Sequence, residues 1–220
     1  MSVEEGVLAT DQALSLCREY QIPVADWEVA ATAEDAVQAA DRLGYPVAIK
    51  ILSAQLSHKS DVGGVALSLA DAVDVRREAQ NMLGMLKELA SDSTNAGIMV
   101  QCMVDSGVEV ILGGKQDPSF GPVVMFGMGG ILVETLDDVS FRIAPLSRLD
   151  AEEMIGEVRG SRMLQGVRGK PPSDRESLIK ALLSLSQLLV DNSHIVEMDL
   201  NPLLVSKDGV TAVDARAVLA

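Results

Sequence analysis

Gly44-Tyr45-Pro46-Val47-Ala48-Ile49-Lys50-Ile51-Leu52 is the stretch on which the fold turns. After the glycine and proline comes a short, continuous apolar run interrupted by one lysine, which reads as a strand buried on both faces. Immediately upstream, Thr32-Ala33-Glu34-Asp35 forms a capping pattern ahead of a helix over residues 36–43, and Gly44 stands where a helix-ending glycine belongs. A helix delivered straight into a buried strand is the unit of an α/β protein.

Working outward, residues 10–20 are amphipathic, with Ala13, Leu14, Leu16 and Cys17 on one side and Asp11 in the first turn, and residues 21–24 turn the chain. Residues 53–64 are a polar loop ending in Gly63-Gly64, 65–69 a strand, and 71–89 a helix with an acidic start. Two strand-like runs follow, 97–104 and 108–113, and Asp105-Ser106-Gly107 between them is a hairpin signal. Residues 121–128 and 131–134 flank Gly129-Gly130, and 140–144 add another short strand. Successive strands without a helix make this centre an antiparallel sheet. Helices are expected over 149–159 and 175–192, bridged by a basic, Gly/Pro-rich loop. The chain closes with strands at 195–200 and 202–205, a Lys207-Asp208-Gly209 turn, and a returning strand to Asp214. The expected architecture is a small αβ lobe followed by a larger α+β lobe.

Composition narrows the function. The 220 residues carry a net charge of −14, which repels a phosphate polymer or an anionic membrane, so nucleic acid and membrane are poor partners. A single nucleotide needs only a local set of donors, a cation or two and a divalent metal, which itself wants carboxylates. The chain is 48% hydrophobic but only 3% aromatic, so its core must be aliphatic. No apolar run approaches the roughly 20 residues of a membrane span. The acidic start is unlike a secretory signal, and the cytoplasm is the expected location. Cys17 and Cys102 lack C-x-x-C spacing and read as small core hydrophobes.

Several residues could carry chemistry. Lys50 inside an apolar strand is costly to bury unless an anion meets it; the other reading is a lysine that snorkels from an edge strand. Gly63-Gly64 could let backbone amides approach a phosphate, or could simply turn the chain. Gly127-Met128-Gly129-Gly130 is followed by Ile-Leu-Val-Glu rather than a helix start, which rejects a dinucleotide-binding reading. Glu197, Asp199 and Asn201 alternate onto one strand face, and Asp214 returns alongside Asn201. Such oxygen ligands suit Mg²⁺, although an ordinary polar strand face has the same pattern. His58 lies in a polar stretch where a solvated histidine is the plain reading. Arg142, a cation in a short apolar run, needs an anion or water and is a candidate phosphate contact.

Taken in order, Gly44 to Lys50, His58-Lys-Ser-Asp-Val-Gly-Gly-Val65, Gly107-Val-Glu-Val110, Gly113-Gly114, Asp117-Pro-Ser-Phe-Gly-Pro122, Phe126-Gly-Met-Gly-Gly130, Glu197-Met-Asp-Leu-Asn-Pro202 and Asp214 resemble one family over almost the whole chain. It is that of the ATP-grasp β subunits of ADP-forming acetyl-CoA and acyl-CoA synthetases, relatives of the succinyl-CoA synthetase β subunit. The resemblance implies an ATP-grasp fold, with two lobes sandwiching the nucleotide. Residues 25–104 would be the small lobe and 105–220 the large one, with residues 1–24 an N-terminal helix and turn of the same domain. It further implies Lys50 on the phosphates of ATP or ADP under the backbone of Gly63, Gly64 and Val65. A hinge at Gln101, Met103 and Val104 would meet adenine, and Glu109 would meet the ribose or Lys50. Asn201 and Asp214, with Glu197 and Asp199 as further candidates, would hold Mg²⁺. His58 matches the position of the family's β-subunit phosphohistidine. A CoA-binding α subunit, in an α₂β₂-like assembly, is the implied partner; a non-catalytic nucleotide-binding module paired with a CoA-binding protein is the alternative.

Overall fold

The computed structural model describes residues 6–52, 63–89, 97–129, 138–166 and 171–220. In chain order the elements begin with β1 (Gly6–Val7), α1 (Thr10–Glu19), β2 (Trp27–Ala30), α2 (Ala33–Leu43), β3 (Val47–Leu52), β4 (Val65–Leu69), α3 (Ala72–Leu89) and β5 (Gly97–Cys102). They continue with β6 (Val108–Asp117), β7 (Gly121–Met128), β8 (Val139–Ile143), α4 (Arg148–Glu157), a 3₁₀ helix (Arg159–Gln165), α5 (Arg175–Asp191), β9 (Ile195–Val205), β10 (Val210–Ala212) and β11 (Arg216–Leu219). The described chain forms two compact units, one from residues 9–11 and 25–104, the other from 6–8, 12–24 and 105–220. No helix among the described residues is long and apolar enough to cross a membrane.

The first unit is an antiparallel sheet in the order β2-β5-β3-β4. Helices α2 and α3 cover one face. Thr32 caps α2 by accepting from the Asp35 amide at 3.1 Å, and Gly44 ends it with φ 87°. Period-two alternation sends Val47, Ile49 and Ile51 of β3, with Ile98 and Val100 of β5, into a core with Ala36, Ala40, Val75, Ala79, Met82 and Leu86. All six β3 residues are buried, as its unbroken apolar run demands. Strand β2 was not foreseen: with Glu28 and Val29 at its centre the segment lacks a clean alternation. Its place is set by antiparallel pairing with β5.

The second unit is a seven-stranded sheet in the order β1-β11-β9-β6-β7-β8, with β10 also on β9. Helices α4 and α5 pack on one face through Met154, Ile155, Leu178, Leu182, Leu185 and Leu189, all buried. The expected hairpin at Asp105-Ser106-Gly107 does not exist: β5 pairs with β2 and β3, whereas β6 pairs with β7 and β9 in the other sheet. The segment is a link between sheets. Gly107 is needed there because a Cβ would lie 2.9 Å from the carbonyl carbon and oxygen of Val205. Gly107→Ala should therefore destabilise by about 1–3 kcal/mol, since backbone yields less readily than a side-chain tip. A urea midpoint equal to wild type would refute that assignment.

Two further expectations are corrected. Pro202 does not end its strand: β9 runs unbroken to Val205, and the extra residue at Asn201-Pro202 is absorbed by a register shift opposite Ile111. Proline lacks an amide hydrogen and is tolerated where the ladder already skips a bond. The basic loop after α4 opens with the 3₁₀ helix, whose start is capped by Asp138. Cys17 is fully buried and its thiol is pushed up to about 12 by burial, whereas Cys102 is only half-buried, its Sγ 3.6 Å from Leu43 O. The strand expected at 131–134 lies outside the described residues.

Candidate nucleotide site

Lys50 sits in the middle of β3, opposite Met99 of β5 and Val65 of β4. Directly opposed residues share a face, and so do residues two apart. Ala48, Lys50, Leu52, Met99 and Gln101 therefore lie on the face turned away from α2 and α3. Lys50 is 5% exposed and Gln101 1%. The snorkelling reading of Lys50 fails, because β3 is a central strand flanked by β4 and β5. Gln101 Nε2 has no hydrogen-bond partner among the described residues. A buried amide donor left unsatisfied costs about 1–3 kcal/mol, so it marks a place where something outside the chain is expected.

The glycine pair runs beside this lysine. Gly63 has φ 73°, and Gly64 accepts at its carbonyl from the Ile51 amide at 2.9 Å. Gly63, Gly64 and Val65 are thus anchored alongside the end of β3. Met103 and Val104 follow β5, and the Met103 amide donates to Pro46 O at 3.3 Å. His58 lies outside the described residues.

The second unit brings the carboxylates together. Register pairs Gly113 with Asp199, Lys115 with Glu197, and Arg216 with Asp199, so Glu197, Asp199, Lys115 and Arg216 share one face. Gln116, one residue along β6, points to the opposite side and donates to Leu189 O on α5 at 3.0 Å. The carboxylate face is therefore the one without helices. Asn201, two residues after Asp199, is exposed at the register shift. The Val213 amide donates to Pro202 O at 3.2 Å, which returns Asp214 beside Asn201. One Asp214 oxygen accepts from the Ala215 amide at 2.9 Å. Glu109 is exposed on the same face of β6, and its carbonyl accepts from the Gly129 amide at 2.7 Å. A Cβ on Gly129 would lie 2.8 Å from the Glu109 Cβ, so only glycine fits against that strand.

Electrostatics single out Asp199. Burial, then the like charges of Glu197 and Asp214, raise its carboxyl from 3.8 to about 6, against a smaller opposing effect from Arg216. Arg216 itself is held by Glu197 at 3.0 Å. Because the folded value is raised, the penalty is absent below the unfolded value and grows as pH rises through the folded one. Asp199→Asn should therefore stabilise the ligand-free chain by about 1–2 kcal/mol at pH 8 and hardly at all at pH 4. Urea midpoints at both pH values test this; equal shifts at the two would refute it.

Arg142 does not join the cluster. It shares the helix-bearing face with Ser140, which donates to Met154 O on α4, and its guanidinium is held by Glu157 and, at 3.4 Å, by Glu153. Among the described residues no group of three or more His, Cys, Asp or Glu side chains is close enough to hold a metal unaided. Lys115, Arg216 and the Gln101 side chain were missed by sequence reasoning. Gln101 carried the same signal as Lys50, a lone polar residue in an apolar strand, and Arg216 stands two residues from Asp214 and in register with Asp199.

An ATP-grasp domain model matches residues 1–219. The chain is 39% identical over 216 residues to the β subunit of acetate–CoA ligase (ADP-forming) I of Pyrococcus furiosus, covering 98% of this chain and 93% of that one. It is 43% identical over 214 residues to acetate–CoA ligase (ADP-forming) I of Archaeoglobus fulgidus, where it covers 97% of this chain but spans only 31% of that longer protein. Among solved structures, acetyl-coenzyme A synthetase 1 of Candidatus Korarchaeum cryptofilum, bound to coenzyme A and Ca-AMPCP, superposes with TM-score 0.92 at 43% identity over 98% of this chain and 94% of that one. The same protein with coenzyme A and Mg-AMPPCP, at TM-score 0.86 and 40% identity over 98% of this chain and 93% of that one, has its phosphohistidine segment pointing towards the nucleotide binding site. This chain, with its two antiparallel sheets, is a member of the ATP-grasp family and belongs with the β subunits of the ADP-forming acetate–CoA ligases.

Proposed function

We propose that this chain is the nucleotide-binding subunit of an ADP-forming acyl-CoA synthetase, which interconverts acyl-CoA, ADP and phosphate with free acid, CoA and ATP. The observation that carries this reading is the buried sheet face on which Lys50 lies beside the unpartnered Gln101 amide donor. Phosphate oxygens would accept from both the Lys50 ammonium and the Gln101 amide.

In this reading Lys50 binds the nucleotide phosphates, and the Gly63, Gly64 and Val65 backbone covers them. Gln101, Met103 and Val104 meet adenine, and Glu109 meets the ribose. Asn201 and Asp214, flanked by Glu197 and Asp199, would hold Mg²⁺. The fit lies in the donor set: hard oxygen atoms on a face where burial and then like charges already raise Asp199, with the remaining positions left to water and phosphate oxygens. Bound there, the ion would neutralise charge on the phosphoryl group in transfer.

His58 is the relay. Its neutral imidazole nitrogen attacks the phosphorus of a phosphohistidine on the partner, whose imidazole leaves. ADP then attacks the phosphoryl group on His58, giving ATP and restoring the imidazole. The acyl group and CoA are handled by a CoA-binding α subunit in an α₂β₂-like assembly in the cytoplasm. Labelled phosphate, acyl-CoA and this partner, without ADP, should leave acid-labile label on this chain, and His58→Ala should remove it. Label on the partner alone would overturn the relay. Failure of the chain to bind Mg-ADP by calorimetry would overturn the nucleotide assignment as well.

A further inference from the structure

The chain is strongly acidic, yet residues 159–175 hold five cations, Arg159, Arg162, Arg168, Lys170 and Arg175, against the single acid Asp174. Three of these, Arg159, Arg162 and Arg175, line a cleft of about 460 Å³ together with Glu157, Ser161 and Gln165. The nucleotide site proposed above uses none of these residues.

Among the described residues, the acids around the cleft are committed elsewhere. Glu157 is bound to Arg142, and both oxygens of Asp138 cap the 3₁₀ helix through the amides of Arg159 at 2.9 Å and Gly160 at 2.7 Å. Asp174 caps α5 through the Ser177 amide at 3.0 Å and hydroxyl at 2.6 Å. Glu152 and Glu176 both pair with Arg148. Arg175 donates from one nitrogen to Glu152 O at 2.8 Å, and its remaining donors stay available. Among the described residues, Arg159 and Arg162 have no ion pair at all. Three guanidiniums around one cleft, two of them without an ion pair among the described residues, form a local positive well in a chain of net charge −14.

We infer that this cleft binds a small phosphate-bearing ligand. Guanidinium forks match phosphate oxygens in pairs, and the volume lies in the range of small-molecule sites, about 300–1,000 Å³. Its place is fixed by Gly160, where a Cβ would lie 2.6 Å from Met128 Cγ. The cleft therefore stands at the end of β7 that continues to Gly129, beside the Glu109 end of β6 but on the helix-bearing side of the sheet.

The test uses the full chain carrying Lys50→Met, so that binding at the proposed nucleotide site is not counted. Pyrophosphate, inorganic phosphate and coenzyme A are titrated separately by calorimetry at low ionic strength. Pyrophosphate is expected to bind in the millimolar range or tighter, to weaken with added salt, and to lose roughly tenfold or more in affinity when Arg159→Ala and Arg162→Ala are introduced. The pair Arg159→Lys and Arg162→Lys, which keeps charge and fold while losing the forks, should fall in between. Tighter binding of coenzyme A than of pyrophosphate assigns the site to a nucleotide-type phosphate ester; comparable binding of both simple anions assigns it to a free phosphate group. The inference is overturned if no probe binds at several millimolar, or if neither double variant changes the affinity.

Discussion

Replacing His58 by alanine is expected to leave Mg-nucleotide binding unchanged while lowering ATP formation from acyl-CoA, ADP and phosphate, with the CoA-binding partner present, by about a thousandfold. The size follows from the role. Under the proposed role His58 forms and breaks a bond to the phosphoryl in every cycle, and the chain has only one other histidine, His194, in the turn before β9. The phosphoryl would then have to pass directly from the partner's phosphohistidine to ADP. Loss of an intermediate carrier forfeits the proximity that makes each step intramolecular. Nucleotide affinity is the control, since the phosphate, adenine and metal contacts are assigned to other residues. Turnover within a factor of ten of wild type would remove His58 from the mechanism and leave the nucleotide site untouched.

Lys50→Met is expected to do the reverse, weakening Mg-ADP binding by about a hundredfold, the scale of losing a charged partner from a desolvated phosphate contact. Methionine keeps much of the packed stem of the side chain while removing its charge. A melt of the ligand-free chain shows whether the fold survives the change. Calorimetry with Mg-ADP and a thermal melt read the two effects separately. A chain that keeps its fold and its full ADP affinity would show that Lys50 does not meet phosphate.

The capping at Thr32, the buried strand around Lys50 and the oxygen-bearing alternation at Glu197, Asp199 and Asn201 were legible in the sequence because each depends on local geometry. A helix start needs its cap, and a strand has a period of two whatever it packs against. Sheet membership is different. Asp105-Ser106-Gly107 has the composition of a hairpin turn, but β5 finds its partners in β2 and β3 while β6 finds β7 and β9. Pairing energy depends on which distant strands are available, and no turn residue encodes that. The proline at 202 misled for a related reason, since only the register against β6 shows where a missing amide is harmless.

By itself, then, the sequence determined the helices, most of the strands, the family resemblance and the residues with unusual chemistry, because these follow from periodicity, caps and ordered motifs. The tertiary structure decided which of those residues act together. It put Lys50 and Gln101 on one buried face, buried Asp199 beside Glu197 and Asp214 so that its carboxyl rises to about 6, and turned Arg142 to the other side of its sheet against Glu157. Face and neighbour are set by long-range strand pairing and packing, and charge acts only through the distances that these create.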